Sequence, residues 1–544
     1  MKSKEMPAER SIFALLFIAT TVILFGSLSA PAVRFSQETP RPGGILHVRD
    51  FSGTFKPDLD PASGSNVFIT EQIFDGLVRL NNDLIPSPAL AKSWMRAEDG
   101  RSHVFFLREG VKFHNGKELI SQDVKFSFER LIRRETNSPF REYFVSKVVG
   151  AREFAEGKAV DVTGFKTPEK NMFEVQWLNP NASALYLLSM SFCKVLPREN
   201  ILAEGKSFFW KPVGTGPFKF DSWVRTPRLV EAGVSLVRNG AYFGDKKPYL
   251  DGLEISPLYT ADQFVNRDIE VMPFLTERLA RAGCQVVDGG LQNITFLLVS
   301  CSISPLDRPS VRKALTFGID KDNLAQAVQG GAFNRRTTNN YIPLQWPGFY
   351  PLDGAYDFTP EKARMILEEQ GFFSGKAFPE VSLFLPLPRN EVHQNLASAL
   401  EDQLAIMGIS LNLKTYQALS EAKDARQPFL VLVDWAMDFP DPESIIRPLF
   451  QSAAAINLAN GRYASLRLDK LLEEADRERS GDRRNDLFRQ MERVLVEDLP
   501  AIPLFANEQR IAFQSYVHGL KVSPLGFNYL DAKEIWMDKK EPHQ

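Results

Sequence analysis

The sequence predicts an α/β protein. Three observations carry that expectation. Short apolar runs of strand length alternate with segments of helical spacing along most of the chain. Hairpin signals such as Asp99-Gly100 are occasional rather than regular. The chain has 544 residues of ordinary globular composition, enough for two or three domains with sizeable cores.

Taken in order, GGILHVRD (Gly43 to Asp50) reads as a first strand. A loop from Leu59 to Ser65 then leads into a helix with Ile69, Ile73 and Leu77 on its apolar face. Asp99-Gly100 turns into a strand from His103 to Leu107, and Ser121 caps a helix carrying Val124, Phe128 and Leu131. His114, in FHNG, belongs to a turn and is expected to make a structural hydrogen bond. A strand follows at Glu174 to Trp177 and a helix at Asn181 to Met190. In VGTGPFKFDSW, Gly214 and Gly216 lack the third glycine and the following helix of a phosphate loop, so Pro217 marks a turn entering a strand. One helix is expected from Val311 to Leu324. Another starts at Thr359-Pro360 and ends at Gly371. The strand Val381 to Leu385, a loop with Arg389, a helix, the strand Ile409 to Leu413, two charged helices and LPAIPLF complete the alternation.

The formal charge of -2, with no long charge block, gives no sign of a nucleic acid partner. Six scattered histidines and three cysteines without ligand spacing predict neither metal nor other cofactor. Cys193, Cys284 and Cys301 read as buried thiols, with a Cys284–Cys301 disulfide open in an oxidising compartment. Lys2, Lys4 and Arg10 precede an apolar run from Ser11 to Ser29, and Ala30-Pro31-Ala32 offers a cleavage pattern. That is the layout of a secretory signal peptide over residues 1–32. Glu5 and Glu9 dilute the positive region and the run approaches spanning length, so an uncleaved N-terminal anchor is the alternative. No cysteine follows the run, which excludes a lipoprotein anchor there. Either way the body of the protein is exported.

The most informative stretch is VLVDWAMDFPDPESII, Val431 to Ile446. An apolar strand is broken at Phe439-Pro440-Asp441-Pro442, where two prolines forbid helix. Asp434, Asp438 and Asp441 therefore lie at or just past a strand end beside Trp435 and Phe439, the place where α/β folds meet ligands. A carboxylate beside an aromatic wall suits an amine.

Together with IFDGLVRL, LAKSW, FFLREGVKFHNG, DVKFSFERL, VGTGPFKF, VRKALTFGIDK, PEKARMILEEQGF and GRYASLRLDKLLEEA, in that order over some 450 residues, this stretch resembles family 5 extracytoplasmic solute-binding proteins of ABC importers, the oligopeptide- and dipeptide-binding type. The resemblance implies a periplasmic-binding-protein-like two-lobe clamp (type II) with an additional inserted domain. Lobe I would comprise residues 43–82, 196–288 and 503–540, the inserted domain 83–195, and lobe II 289–502. It implies a monomer, without catalysis, that closes on a short peptide and delivers it to a membrane permease. Asp438 falls where the family pairs an aspartate with the ligand's amino group, Trp435 on the aromatic before it, and Arg389 where dipeptide-type members hold the ligand carboxylate. Ser63, Gly64 and Ser65 match a loop that offers backbone groups. Asp434 departs from the small residue common there and adds a second carboxylate, which leaves a cationic compound, sugar or metal chelate as alternative solutes. A membrane-anchored sensor, and an enzyme using Asp434 with Asp438 as acid and base, are the remaining alternatives.

Overall fold

The computed structural model describes residues 39–50, 55–228, 230–328, 333–343, 346, 349, 351–352, 356–373, 376–387, 391–417, 425–437 and 439–538. The alternation of strand and helix reappears as one large mixed sheet of eleven strands. Two unusually long strands run through its middle, Gln285–Val299 and Ala501–Phe513, paired antiparallel from Gln285 opposite Phe513 to Leu298 opposite Ala501. They join two halves. On one side lie the first strand, Ile45–Arg49, its parallel neighbour Gly252–Ser256 and the hairpin Phe218–Arg225 with Glu231–Arg238. On the other lie Phe429–Ala436, Val381–Pro386 and Leu411–Tyr416, the last two parallel.

Each half has its own core. The first gathers Leu46, Phe68, Ile73, Leu253 and Ile255. In the second, Leu430 and Leu432 face one helical layer while Val431 and Val433 face the other. That is why the run reads as continuously apolar: a strand covered on both faces has no polar side to show. Between the halves the ladder of the two long strands loses its regular register, with shifts between Asp288, Leu291 and Asn293. Gly290 lies there with its α-carbon against Pro524, leaving no room for a β-carbon.

A separate four-stranded antiparallel sheet, Ala91–Arg96, Ser102–Leu107, Met172–Gln176 and Phe165–Glu169, forms a small domain. The helix Ser121–Ile132 packs Val124, Phe128 and Leu131 onto it, with Phe128 stacked on Phe173 at 5.7 Å between centroids. The chain leaves the first half's core at Phe74 and returns at Leu196, so the small domain is attached to that half at both ends.

His114 makes the expected structural bonds, with Nε2 3.0 Å from the Gly216 carbonyl oxygen and Nδ1 accepting from the Gly214 N–H at 3.2 Å. Burial depresses its pKa to about 4. Gly214 and Gly216 sit so close to the Ile73 and Gln72 carbonyls that a β-carbon at either would overlap them. This explains the glycines without a phosphate. All three cysteines are free, so Cys284 and Cys301 are not paired.

Four local expectations need correction. Ser121 is the first helical residue rather than the cap, and its hydroxyl donates to Glu169 O at 2.7 Å while Asp123 accepts the Ile120 N–H at 3.0 Å. The stretch from Val311 to Leu324 is two helices, Pro309–Gly318 and Lys321–Ala327, because Asp320 leaves helical geometry and caps the second by accepting the Asn323 N–H at 3.0 Å. The helix after Asn181 is only Ala184–Leu188, and Leu77 lies past the end of Val67–Ile73. Among the described residues no helix is long and apolar enough to cross a membrane.

Candidate functional site

The strand Phe429–Ala436 stops at Ala436, and Pro442 precedes the helix Glu443–Phe450. That helix contains Pro448, which has no N–H to give the Ser444 carbonyl four residues earlier. Trp435 fills the vacancy, its indole Nε1 donating to Ser444 O at 3.0 Å. The Ser444 hydroxyl donates to Phe439 O at 2.9 Å and the Asp441 N–H to the same oxygen at 2.8 Å. The segment between Trp435 and Ser444 is thus tied at its neck by the indole and folded by its own backbone. Asp438 lies outside the described residues, as does Arg389, which precedes the helix Glu391–Ile406.

Beside this segment is a cavity of about 170 Å³ between the halves of the molecule. Leu84 and Met190 come from the small domain, Trp346, Ala436, Met437 and Pro440 from the second half, and Pro524, Leu525, Asn528 and Tyr529 from the C-terminal segment. Trp435 is not among its walls. The cavity is mostly apolar and smaller than the ~300–1,000 Å³ that encloses a whole drug-sized ligand, a size suited to one side chain.

Ser63, Gly64 and Ser65 close a short 3-10 turn, Pro61–Ser63. The Ser63 hydroxyl donates to Asp60 O at 2.8 Å and accepts from the Ser65 N–H at 3.1 Å. Gly64 has φ +69° and rests on the ring of Phe140. Phe140 stacks on Phe192 at 4.0 Å, Tyr143 on Phe192 at 6.4 Å, and Tyr143 meets Phe439 edge-on at 5.6 Å. An aromatic chain therefore links this loop to the residue following 438.

Asp434 belongs to a polar row across the sheet. Thr295 donates to its Oδ1 at 2.5 Å, His393 Nε2 is 3.8 Å from its Oδ2, and Asn507 Nδ2 donates to Thr295 at 3.0 Å. Crowding by the surrounding groups pushes this carboxyl up, but the nearby His393, the Thr295 hydrogen bond and the charge of Arg335 outweigh it and hold the pKa below the usual value. The carboxylate is open to water, with 43% of its side chain exposed. Such a charge keeps solvent access while its counter-groups are fixed.

The other two described acids of the segment are buried. Asp441, 0% exposed, forms a two-pronged pair with Arg484, 2.9 Å from Nη2 to Oδ1 and 2.5 Å from Nη1 to Oδ2. Glu443, 4% exposed, accepts from Lys147 Nζ at 2.8 Å, Ser183 Oγ at 2.9 Å and Arg447 Nε at 2.8 Å. Burial alone would raise the Glu443 pKa; Lys147, Arg447 and Arg484 together hold it well below the usual range. Lys147 and Ser183 belong to the small domain. Asp441, next to the prolines in sequence, is thus a packing group rather than one that meets a ligand. Reasoning from sequence also missed Met190, Trp346, Met437 and Tyr529 as cavity walls and His393 as the neighbour of Asp434. Only the Met437 and His393 positions, one within the motif and the other just past the loop of Arg389, carried any local signal.

A sheet continued through two long strands, a half on either side and a cavity between them define a two-lobe clamp of the periplasmic-binding-protein type. The sequence agrees: residues 86–457 match the family of bacterial extracellular solute-binding proteins, family 5 (middle), and the chain belongs to that family. It is 27% identical to the dipeptide-binding protein of Escherichia coli (strain K12), over 82% of this chain and 86% of that protein. It is likewise 27% identical to heme-binding protein A of Haemophilus influenzae, over 87% and 89%. Its fold is similar to that of an ABC-transporter-associated periplasmic binding protein from Helicobacter pylori solved with the peptide STSA, with a TM-score of 0.72, 23% identity, and 92% and 99% of the two chains covered.

Proposed function

We propose that this protein captures short peptides outside the cytoplasmic membrane by lobe closure and passes them to an ABC permease, acting as a monomer and catalysing no reaction. The observation that carries the reading is the small apolar cavity at the meeting of both lobes and the small domain, walled by residues either side of position 438. The names of the relatives supply the solute class. In this reading Asp438 takes the peptide's amino group, Arg389 its carboxylate, and the cavity one apolar side chain; Ser63, Gly64 and Ser65 offer backbone groups. Buried termini of opposite charge need such partners. Trp435 acts by holding the loop of Asp438 in place. Asp434, whose charge already has partners within lobe II, adds a second carboxylate to the site. The lobes divide near residues 288 and 503, the small domain spans 83–195, and residues 1–32 direct export or anchor the protein.

Native mass spectrometry of protein purified without refolding tests the solute class. A ladder of short-peptide mass increments is expected, and a single non-peptide mass would replace peptide by that compound. The Haemophilus influenzae relative, named for heme, makes that second outcome a specific one. In calorimetry, Asp438→Ala is expected to weaken a neutral dipeptide by about 2–5 kcal/mol, the loss typical of one partner of a desolvated pair. Unchanged affinity would remove Asp438 from the site.

A further inference from the structure

The small domain does more than flank the cleft. Phe439, on lobe II, is 2% exposed and is packed into the small domain's own hydrophobic core. Four residues on, Glu443 takes two of its closest donors, Lys147 and Ser183, from the small domain. A third contact lies further along the same boundary, where Tyr186 meets Trp346 edge-on at 5.4 Å. Because the small domain is joined to lobe I at both ends, these are contacts between the two lobes made by a part of the chain distant from the hinge.

The chemistry of the contact suits making and breaking. Lys147, Arg447 and Arg484 face Asp441, Glu443 and Asp476, three cations against three anions. Withdrawing the small domain removes one cation and one hydroxyl and leaves lobe II's share of the cluster with an unmatched carboxylate. The edge of the cluster is wet: a cleft of about 240 Å³, lined by Ser146, Lys147, Asn181, Glu443, Arg447 and Asp476, opens onto it. Water can therefore replace Lys147 and Ser183 as the lobes part. The aromatic socket is different, since withdrawing Phe439 exposes apolar surface with nothing to replace its packing.

We propose that Phe439 to Glu443 is a closure latch gripped by the small domain, and that Lys147 and Ser183 position it so that the solute beside residue 438 is released slowly. The latch segment is the continuation of the loop tied by Trp435 and Ser444, so a solute that touches this loop bears directly on the segment that carries Phe439 and Glu443 to the small domain. The solute need not touch Lys147 or Ser183 at all. Its contribution is to hold the loop in the gripped conformation, a differential contact made only when the lobes are together. The proposal rests on the reading that solute is held beside residue 438.

The test compares wild type with the double variant Lys147→Met, Ser183→Ala, and uses Lys147→Arg as the conservative control. Radiolabelled tri-alanine is bound and chased with unlabelled peptide. The double variant is expected to release it about 10- to 100-fold faster while associating within about twofold of wild type, the pattern of a lost contact that acts after encounter. Lys147→Arg should restore slow release. Equal release rates in wild type and double variant would overturn the latch. A second arm uses no solute: hydrogen exchange of the amides from Phe439 to Arg447 is expected to be faster in the double variant, and equal exchange would overturn the latch. Should tri-alanine fail to bind wild type, the solute reading bears that failure and the exchange arm decides the latch by itself.

Discussion

Within the ten residues from Asp434 to Glu443 the protein keeps carboxylates in two opposite conditions. Asp434 is wet, held by a threonine, a histidine and an arginine of its own lobe, and its side chain can exchange partners with solvent. Asp441 is dry and paired with a guanidinium, while Glu443 is buried against guanidinium and ammonium groups, one of them from another domain, at the edge of a cleft. The difference teaches that an acidic motif beside a cleft is not one functional unit. A hydrated charge can be tuned at small cost, whereas a desolvated one fixes structure, because removing its partner leaves a charge with no water to take over.

The sharpest way to break the comparison is Arg484→Met. Asp441 would be left buried without its cation, and a loss of about 3–5 kcal/mol in urea unfolding is expected; a loss below about 1 kcal/mol would place Asp441 with Asp434. Glu492 offers a third condition, a dry carboxyl that among the described residues is met by amides rather than a cation. Its Oε1 accepts from the N–H groups of Tyr341 and Ile342 and from Asn340, at 2.9 to 3.2 Å. Burial pushes its pKa up from 4.5 to about 7. Between those values the folded protein keeps a proton that the unfolded chain has released, so stability falls as pH rises through that window, by on the order of 3 kcal/mol, and is flat in this group above it. Glu492→Gln is expected to remove that slope in denaturation midpoints taken from pH 4.5 to 8; an undiminished slope would assign it elsewhere.

Smaller effects sharpen the picture. Trp435→Phe leaves Ser444 O unpaired beside Pro448 and should cost about 1–2 kcal/mol. Adding Pro448→Ala returns an N–H to that carbonyl, so the pair should be less than additive in thermal unfolding. Asp434→Asn closes the series, with an expected loss under about 1 kcal/mol because the side chain is hydrated; a larger loss, measured the same way, would move it among the buried acids.

Much of this could be read in the sequence. The apolar run ending in two prolines gave the strand and its stop, His114 its structural role, and the ordered series of short motifs the clamp. What stayed hidden was long in range or short in signal. Glu443 meets Lys147 across 296 residues, and no local pattern announces a partner so distant. Asp441 reads like Asp434 and Asp438, an acid beside a strand end, yet its fate was set by Arg484, 43 residues on. The break at Ile319-Asp320 was missed because the apolar spacing continues through it, while a single aspartate cap resets the backbone. The Trp435–Pro448 relation is local enough to have been seen: a proline inside a helix orphans one carbonyl, and something must answer it.

The two crossing strands have a mechanical consequence. A lone tether would let the lobes swivel, slide and twist. Two tethers hydrogen-bonded side by side resist splaying in their own plane and bend easily only out of it, and their ladder is irregular near Gly290. The molecule therefore behaves as a book with a narrow spine, having one soft coordinate. A partner that touches both covers can read how far the book is open as a single quantity, without sensing what lies between the pages.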